Sequence, residues 1–289
     1  MRFDTGRESD NVEDRRGDSG GGGPRFGGRG RLGVGTILLA LLAMYFGVDP
    51  RVVFNLASPG PESGTHSGPA QRPPAGDEPA RFVSLVLADT EDTWKAIFQA
   101  AGKQYEEPRL VLFTGATPTA CGTGETAMGP FYCPGDRKVY IDLAFYDELK
   151  SRFRAPGDFA QAYVIAHEVG HHVQNLLGIS DKVQAARQRV SEREGNKLSV
   201  KLELQADCLA GVWAYHADRM RQVLEAGDVD EALTAATAIG DDRLQQQTQG
   251  RVVPDSFTHG SSAQRVSWFK RGLASGQLKE CDTFKVTAR

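Results

Sequence analysis

Residues 167–171 read His-Glu-Val-Gly-His, and no other feature of the chain restricts its local structure so tightly. Two histidines four positions apart lie on one face of an α-helix, one turn from each other, so both imidazoles can reach a single metal ion. Glu168 adjoins the first histidine, where a carboxylate can take a proton from water activated by that ion. The pattern falls inside a periodic apolar segment that starts at Pro156, Gly157 and Asp158 and stops at Gly178, which predicts a helix carrying it. A catalytic zinc takes three protein ligands and leaves a fourth position to water, so a third ligand is owed from elsewhere in the chain.

Glu203 is the strongest candidate. It opens the sequence Glu203-Leu204-Gln205-Ala206-Asp207 on a helix predicted over residues 198–224. Asp207, one turn further on, is placed to accept the distal N–H of a zinc-bound histidine, fixing its tautomer. Pairs of this kind are more often a solvated helix face. Here Leu204, Leu209, Val212 and Trp213 make the helix substantially apolar, which commits its carboxylates.

Around these motifs the chain divides by composition. Residues 1–31 mix Asp, Glu and Arg with many glycines and are predicted to be a disordered tail. Residues 32–48, LGVGTILLALLAMYFGV, carry no charge and end near Tyr45 and Phe46, which suits one membrane-spanning helix at the short limit of length. A signal peptide would follow a shorter tail and end at a small-residue cleavage site. Arg25, Arg29 and Arg31 on the first flank predict an N-terminus in the cytoplasm and the bulk of the chain outside the cell membrane, with the lipid bilayer as a partner. Residues 49–80 read as a Pro/Gly-rich linker and residues 81–289 as one domain. Within it a helix is predicted over 92–103, strands over 109–115 and 138–142, and further helices over 180–193, 229–247 and 261–273. The expected fold class is therefore α+β, predominantly helical with a small β portion, preceded by one transmembrane helix. The formal net charge of −3 offers no basic excess, so nucleic acid is not expected as a partner.

Four cysteines, Cys121, Cys133, Cys208 and Cys281, all follow the apolar segment. Their even number fits two disulfides in an oxidising compartment and equally four thiols. Cys121 and Cys133 bracket a Gly-rich stretch that suits a disulfide-closed loop, and Cys208 is then free to bridge to Cys281. A structural zinc on all four competes with this, but no close Cys-x-x-Cys pair supports it.

The order HExxH followed by ExxxD resembles the gluzincin metallopeptidases, to which thermolysin belongs. HEVGHHVQ with ELQAD, together with CGTGETAMGPFYCPGDRKVYIDL and SFTHGSSAQRVSWF, more closely resembles the bacterial family called putative neutral zinc metallopeptidases, over residues 81–285. The resemblance implies a zincin-like domain binding one zinc ion, with His167, His171 and Glu203 as ligands, Glu168 as general base and Asp207 behind the ligands. The interval between the two motifs is longer than in thermolysin, with room for the extra helix over 180–193.

These residues predict hydrolysis of peptide bonds in a protein or peptide substrate: the metal polarises the carbonyl while Glu168 takes the water proton and passes it to the leaving amine. The oxyanion needs a further donor. His259, just before a helix start at Ser261, is the first candidate for this catalytic role, with Tyr163 and Arg265 as alternatives. His172, about 100° around the helix from His171, is expected to be structural. His216 lies too far along its helix to join the site, and His66 falls in the linker. Three other readings share some of these features. A catalytically silent, zinc-stabilised binding module has no use for Glu168. An intramembrane protease would need the motif inside a span, and a metal-dependent amidase on non-protein substrates shares the motif.

Overall fold

The computed structural model describes residues 1–3, 6–17 and 71–285. A strand β1 (Val12–Asp14) comes first, followed by a helix α1 (Glu78–Ala100) and a strand β2 (Arg109–Phe113). A hairpin β3 (Ala116–Thr119) and β4 (Gly122–Glu125) leads to β5 (Phe131–Cys133) and β6 (Lys138–Asp142). The remainder is helical: α2 (Ala144–Ser151), α3 (Asp158–Leu176), α4 (Ile179–Arg187), α5 (Glu192–Arg221), α6 (Asp228–Ala238), α7 (Asp241–Gln249) and α8 (Ser262–Ser275). Helices thus predominate over a small sheet, as the α+β expectation has it.

The sheet runs β1-β2-β6-β5, parallel except for the antiparallel β5–β6 pair. β2 and β6 are buried on both faces, as continuous apolar strands of a parallel sheet require. Leu110, Leu112, Val139 and Ile141 point into the helical core. Val111, Phe113 and Tyr140 form a smaller cluster on the other face, packed with Phe131. β6 occupies the residues that period-two alternation picks out, and β2 falls within the strand expected over 109–115, stopping two residues short at Phe113.

Three sequence expectations need correction. Residues 1–31 were expected to be a disordered tail, yet Val12 pairs with Leu110 and Phe3 is buried. The reason is a charged anchor that composition hides: the buried carboxylate of Glu91 on α1 accepts from Ser9 Oγ at 2.5 Å, Asn11 Nδ2 at 2.8 Å and Arg7 Nη2 at 2.8 Å. Second, α1 begins at Glu78, in the last three residues of the expected linker and fourteen residues ahead of the helix expected over 92–103. Asp77 caps it by accepting from the Ala80 N–H at 3.1 Å, and Pro79 lies in the first turn, where its missing N–H costs nothing.

The third correction concerns the membrane. Among the described residues no helix is long and apolar enough to cross one, and residues 32–48, where the span was expected, lie outside them. β1 and β2 belong to one sheet, so the residues before and after the expected span share one body. A single crossing between them would put a bilayer through that sheet. The single-pass topology, with its cytoplasmic N-terminus and extracytoplasmic domain, is overturned, and the fold class reduces to a helical domain with a small sheet.

Smaller differences lie at helix breaks. The single helix expected over 229–247 is two, because Asp241 leaves the helical ladder: its N–H donates to Gly260 O at 2.9 Å. α5 starts earlier than expected, at Glu192, with the Ser191 hydroxyl capping the Glu194 N–H at 3.4 Å. Both disulfides form, Cys121–Cys133 across the β4–β5 region and Cys208–Cys281 from α5 to the C-terminal segment, with no free cysteine among the described residues.

Candidate metal centre

α3 and α5 cross closely at Gly170. A Cβ there would lie 3.0 Å from Ala206 O and 3.2 Å from its Cα, so only glycine lets the two helices approach this far unstrained. That contact sets Glu203 and Asp207 opposite the histidines of α3. His167 Nε2 lies 3.2 Å from Glu203 Oε2, and His171 Nε2 lies 3.5 Å from the same oxygen. One ligand atom from each of His167, His171 and Glu203 falls within a 4.8 Å group. Four ligands around a tetrahedral zinc at ~2.0 Å are about 3.3 Å apart, so these spacings already match an ion's coordination shell. Two imidazoles and one carboxylate are also the donor set of a catalytic zinc with one position left for water.

Both imidazoles turn their Nε2 atoms to this point because their Nδ1 atoms are held behind. His167 Nδ1 donates to Asp207 Oδ1 at 2.8 Å, and His171 Nδ1 donates to Gln174 Oε1 at 2.9 Å. Gln174 is in turn oriented by donating to Leu202 O at 2.7 Å and Gln205 Oε1 at 3.1 Å. The Asp207 carboxylate is completely buried and carries four donors. Besides His167 it accepts from Tyr163 OH at 2.5 Å, Arg265 Nε at 2.9 Å and Arg265 Nη2 at 2.8 Å. Arg265 reaches it from the first turns of α8 and also donates to Ile239 O at 3.3 Å, in the break between α6 and α7.

Charge follows from this arrangement. Burial opposes ionisation of Asp207, yet Arg265 and His167 hold it well below the usual carboxylate range. Burial draws the His167 imidazole down, and Asp207 and Glu203 outweigh it, raising the group to about 9. His171 is raised against burial chiefly by Glu203, and Glu203 is lowered against burial by the two histidines. A bound divalent ion would replace these protons, as imidazole ligands must be neutral.

Glu168 differs from its neighbours. It is 7% exposed, and its carboxylate makes no hydrogen bond or ion pair among the described residues. Burial pushes its pKa up, more than the two imidazoles pull it down. An uncommitted carboxylate with a raised pKa, beside a candidate metal position, is suited to carry a proton in both directions.

His259 sits in a loop fixed by Asp241. The Asp241 Oδ2 atom accepts from the backbone N–H groups of Thr258, His259 and Gly260 at 2.7, 2.6 and 3.0 Å. His259 Nδ1 lies 3.2 Å from Asp241 Oδ1 while the side chain is half exposed. Its pKa is raised first by the Asp241 hydrogen bond, against burial, with Glu203 adding to the rise. Tyr163 and Arg265, the alternative donors, are buried and committed to Asp207.

His172 is structural, with Nε2 donating to Glu106 O at 2.6 Å and Nδ1 accepting from Tyr132 OH at 3.0 Å. His216 Nε2 donates to Gly276 O, away from the centre. His66 lies outside the described residues. A second acidic group, Asp158, Asp228 and Glu231, lies at the start of α3, where Asp158 and Asp228 accept from the Met1 amino group at 3.2 Å. Sequence reasoning did not find Gln174, three residues after His171 on the same helix face, although that spacing was a usable signal. It also missed Asp241, for which only a folded chain gives a signal.

The sequence profile of the family described as putative neutral zinc metallopeptidase matches residues 1–284. The chain belongs to that family. The match reaches residue 1, beyond the 81–285 of the motif resemblance, in keeping with the place of β1 in the sheet. The chain is 56% identical over 288 residues to uncharacterized protein YpfJ of Escherichia coli (strain K12), covering 98% of this chain and 99% of that one. It is 40% identical over 257 residues to uncharacterized protein Rv2575 of Mycobacterium tuberculosis (strain ATCC 25618 / H37Rv), covering 84% and 85% of the two chains. No solved structure matches. The family's description implies a zinc ion and a hydrolase.

Proposed function

We propose that this chain is a zinc-dependent endopeptidase that hydrolyses peptide bonds, with one zinc ion held by His167, His171 and Glu203. The observation that carries the reading is the pairing of this three-ligand group with an adjacent carboxylate, Glu168, that has no hydrogen-bond or ion-pair partner among the described residues. A zinc serving only to hold the fold is closed by four protein ligands and has no use for such a base. When bound, the ion supplies Lewis acidity that acidifies water and polarises a carbonyl.

The chain's own groups do the rest. Asp207 and Gln174 fix the tautomers of His167 and His171, keeping both Nε2 lone pairs directed at the centre. Arg265 and Tyr163 keep Asp207 ionised and immobile. Glu168 accepts a proton from the attacking water and delivers it to the departing amine. His259, its Nδ1 turned to Asp241, makes no hydrogen bond through Nε2 among the described residues and donates from it to the oxyanion. Protein or peptide is the substrate class that this chemistry and the family description support together.

The test compares the zinc-loaded full chain with Glu168→Gln on a broad peptide library, zinc content being measured on both. Cleavage reduced about 100-fold or more in the variant, with zinc retained, is the expected result. A zinc-loaded wild type that cleaves no peptide, or a variant as active as wild type, would falsify the reading.

A further inference from the structure

A cavity of about 600 Å³ is lined in part by Gln205, whose Oε1 accepts from Gln174, the residue that also holds His171 Nδ1. It is bounded by the C-terminal ends of α1 and α3, by α4, by one side of α5 and by the segment from Leu278 to Lys285. Phe98, Leu177, Val183, Leu198 and Leu209 line it, and its size is that of a single small-molecule site. Gln205 is the one uncharged polar side chain among the described lining residues besides the disulfide-bonded Cys281. Both ends of its amide are already satisfied: Oε1 accepts from Gln174 at 3.1 Å and Nε2 donates to Cys281 O at 2.9 Å.

The charged groups of the lining are of nearly one sign. Lys103, Lys182, Lys279 and Lys285 stand there with a single acid, Asp282, and that acid is taken by Lys285 Nζ at 2.8 Å. Lys103, Lys182 and Lys279 have no ion-pair partner among the described residues, and all three are exposed. An interior of mainly apolar side chains whose one amide is already satisfied, edged by three cations with no ion-pair partner among the described residues, selects for an amphiphile: an apolar tail inside and an anion at the edge. An extended peptide fits poorly, because no uncharged lining side chain has a free donor or acceptor for its backbone N–H and C=O groups. We propose that this cavity binds a long-chain fatty acid, its acyl chain against Phe98, Leu177 and Leu209 and its carboxylate among Lys103, Lys182 and Lys279.

Calorimetric titration of the zinc-loaded full chain with myristate, below its micelle concentration, tests this independently of peptidase activity. Three proteins are compared: wild type, Ala186→Trp to fill the cavity from α4, and the triple variant Lys103→Gln, Lys182→Gln, Lys279→Gln, each checked for native circular dichroism. Wild type should bind one myristate saturably. The triple variant, which alters only exposed side chains, should bind roughly tenfold more weakly while its affinity for uncharged tetradecanol stays unchanged, and Ala186→Trp should lose both ligands. Absence of saturable 1:1 binding, or myristate affinity indifferent to the lysine substitutions, overturns the proposal. So does undiminished binding by a folded Ala186→Trp.

Discussion

His171 and His172 are chain neighbours with opposite environments. His171 shares a 4.8 Å group with two other ligand candidates, whereas His172 is completely buried between the rings of Tyr105 and Tyr132, at 5.8 and 5.5 Å. Burial pushes His172 down to about 4. Because its pKa falls on folding, the unfolded chain binds more protons between about 6.5 and 4, so stability is complete above that window and declines as pH falls through it. The loss amounts to roughly 3 kcal/mol across the window. Urea unfolding of chelator-treated protein at pH 7.5 and 4.5 checks it. His172→Gln should be less stable at pH 7.5 but flatter with pH, and equal slopes would sink the assignment. At this scale helical periodicity puts His167 with His171, and Glu203 with Asp207, each pair on one face, while the meeting of the two pairs was legible only through zinc's need for a third ligand and the family resemblance. The committed partners of Asp207 were not: Arg265 is 58 residues away in sequence, and no local pattern links the two.

Helix placement explains how those distant residues meet. α5 and α8 touch backbone to backbone: a Cβ on Gly272 would lie 1.9 Å from Cys208 O, and one on Gly211 would lie 2.1 Å from Phe269 O. This seam carries Arg265 to Asp207 on the same two helices. Gly272→Ala cannot be absorbed by a side-chain rotation, since backbone is what it strikes, and should destabilise by about 3 kcal/mol or more. A urea midpoint within experimental error of wild type would contradict so close a contact. Strands β2 and β6, the body of α3 and the start of α8 at Ser261 were legible, since each has its own periodicity or cap. The start of α1 and the break between α6 and α7 were not. Pro and Gly content concealed the Asp77 cap, and the break depends on hydrogen bonds from Asp241 to a loop some twenty residues on.

Over the whole molecule, residues 6–17, well ahead of the rest of the described chain in sequence, belong to the body that holds the metal centre. Arg7, Ser9 and Asn11 supply the donors of the buried Glu91, so deleting residues 1–17 strips a carboxylate of its partners and costs roughly 3 to 5 kcal/mol. Thermal melts should show the loss, and Glu91→Leu in the truncated background should recover part of it. A truncated chain as stable as the full one would refute the anchoring role. Composition concealed this because polar, glycine-rich sequence satisfies a buried acid as readily as it stays solvated. The central claim, that two imidazoles of α3 and one carboxylate of α5 grip a single zinc, is read most directly by X-ray absorption at the zinc edge on the full chain. The account predicts one zinc per chain with two imidazole nitrogens and oxygen donors near 2.0 Å. Sulfur in the coordination shell, or zinc well below one per chain, would contradict it.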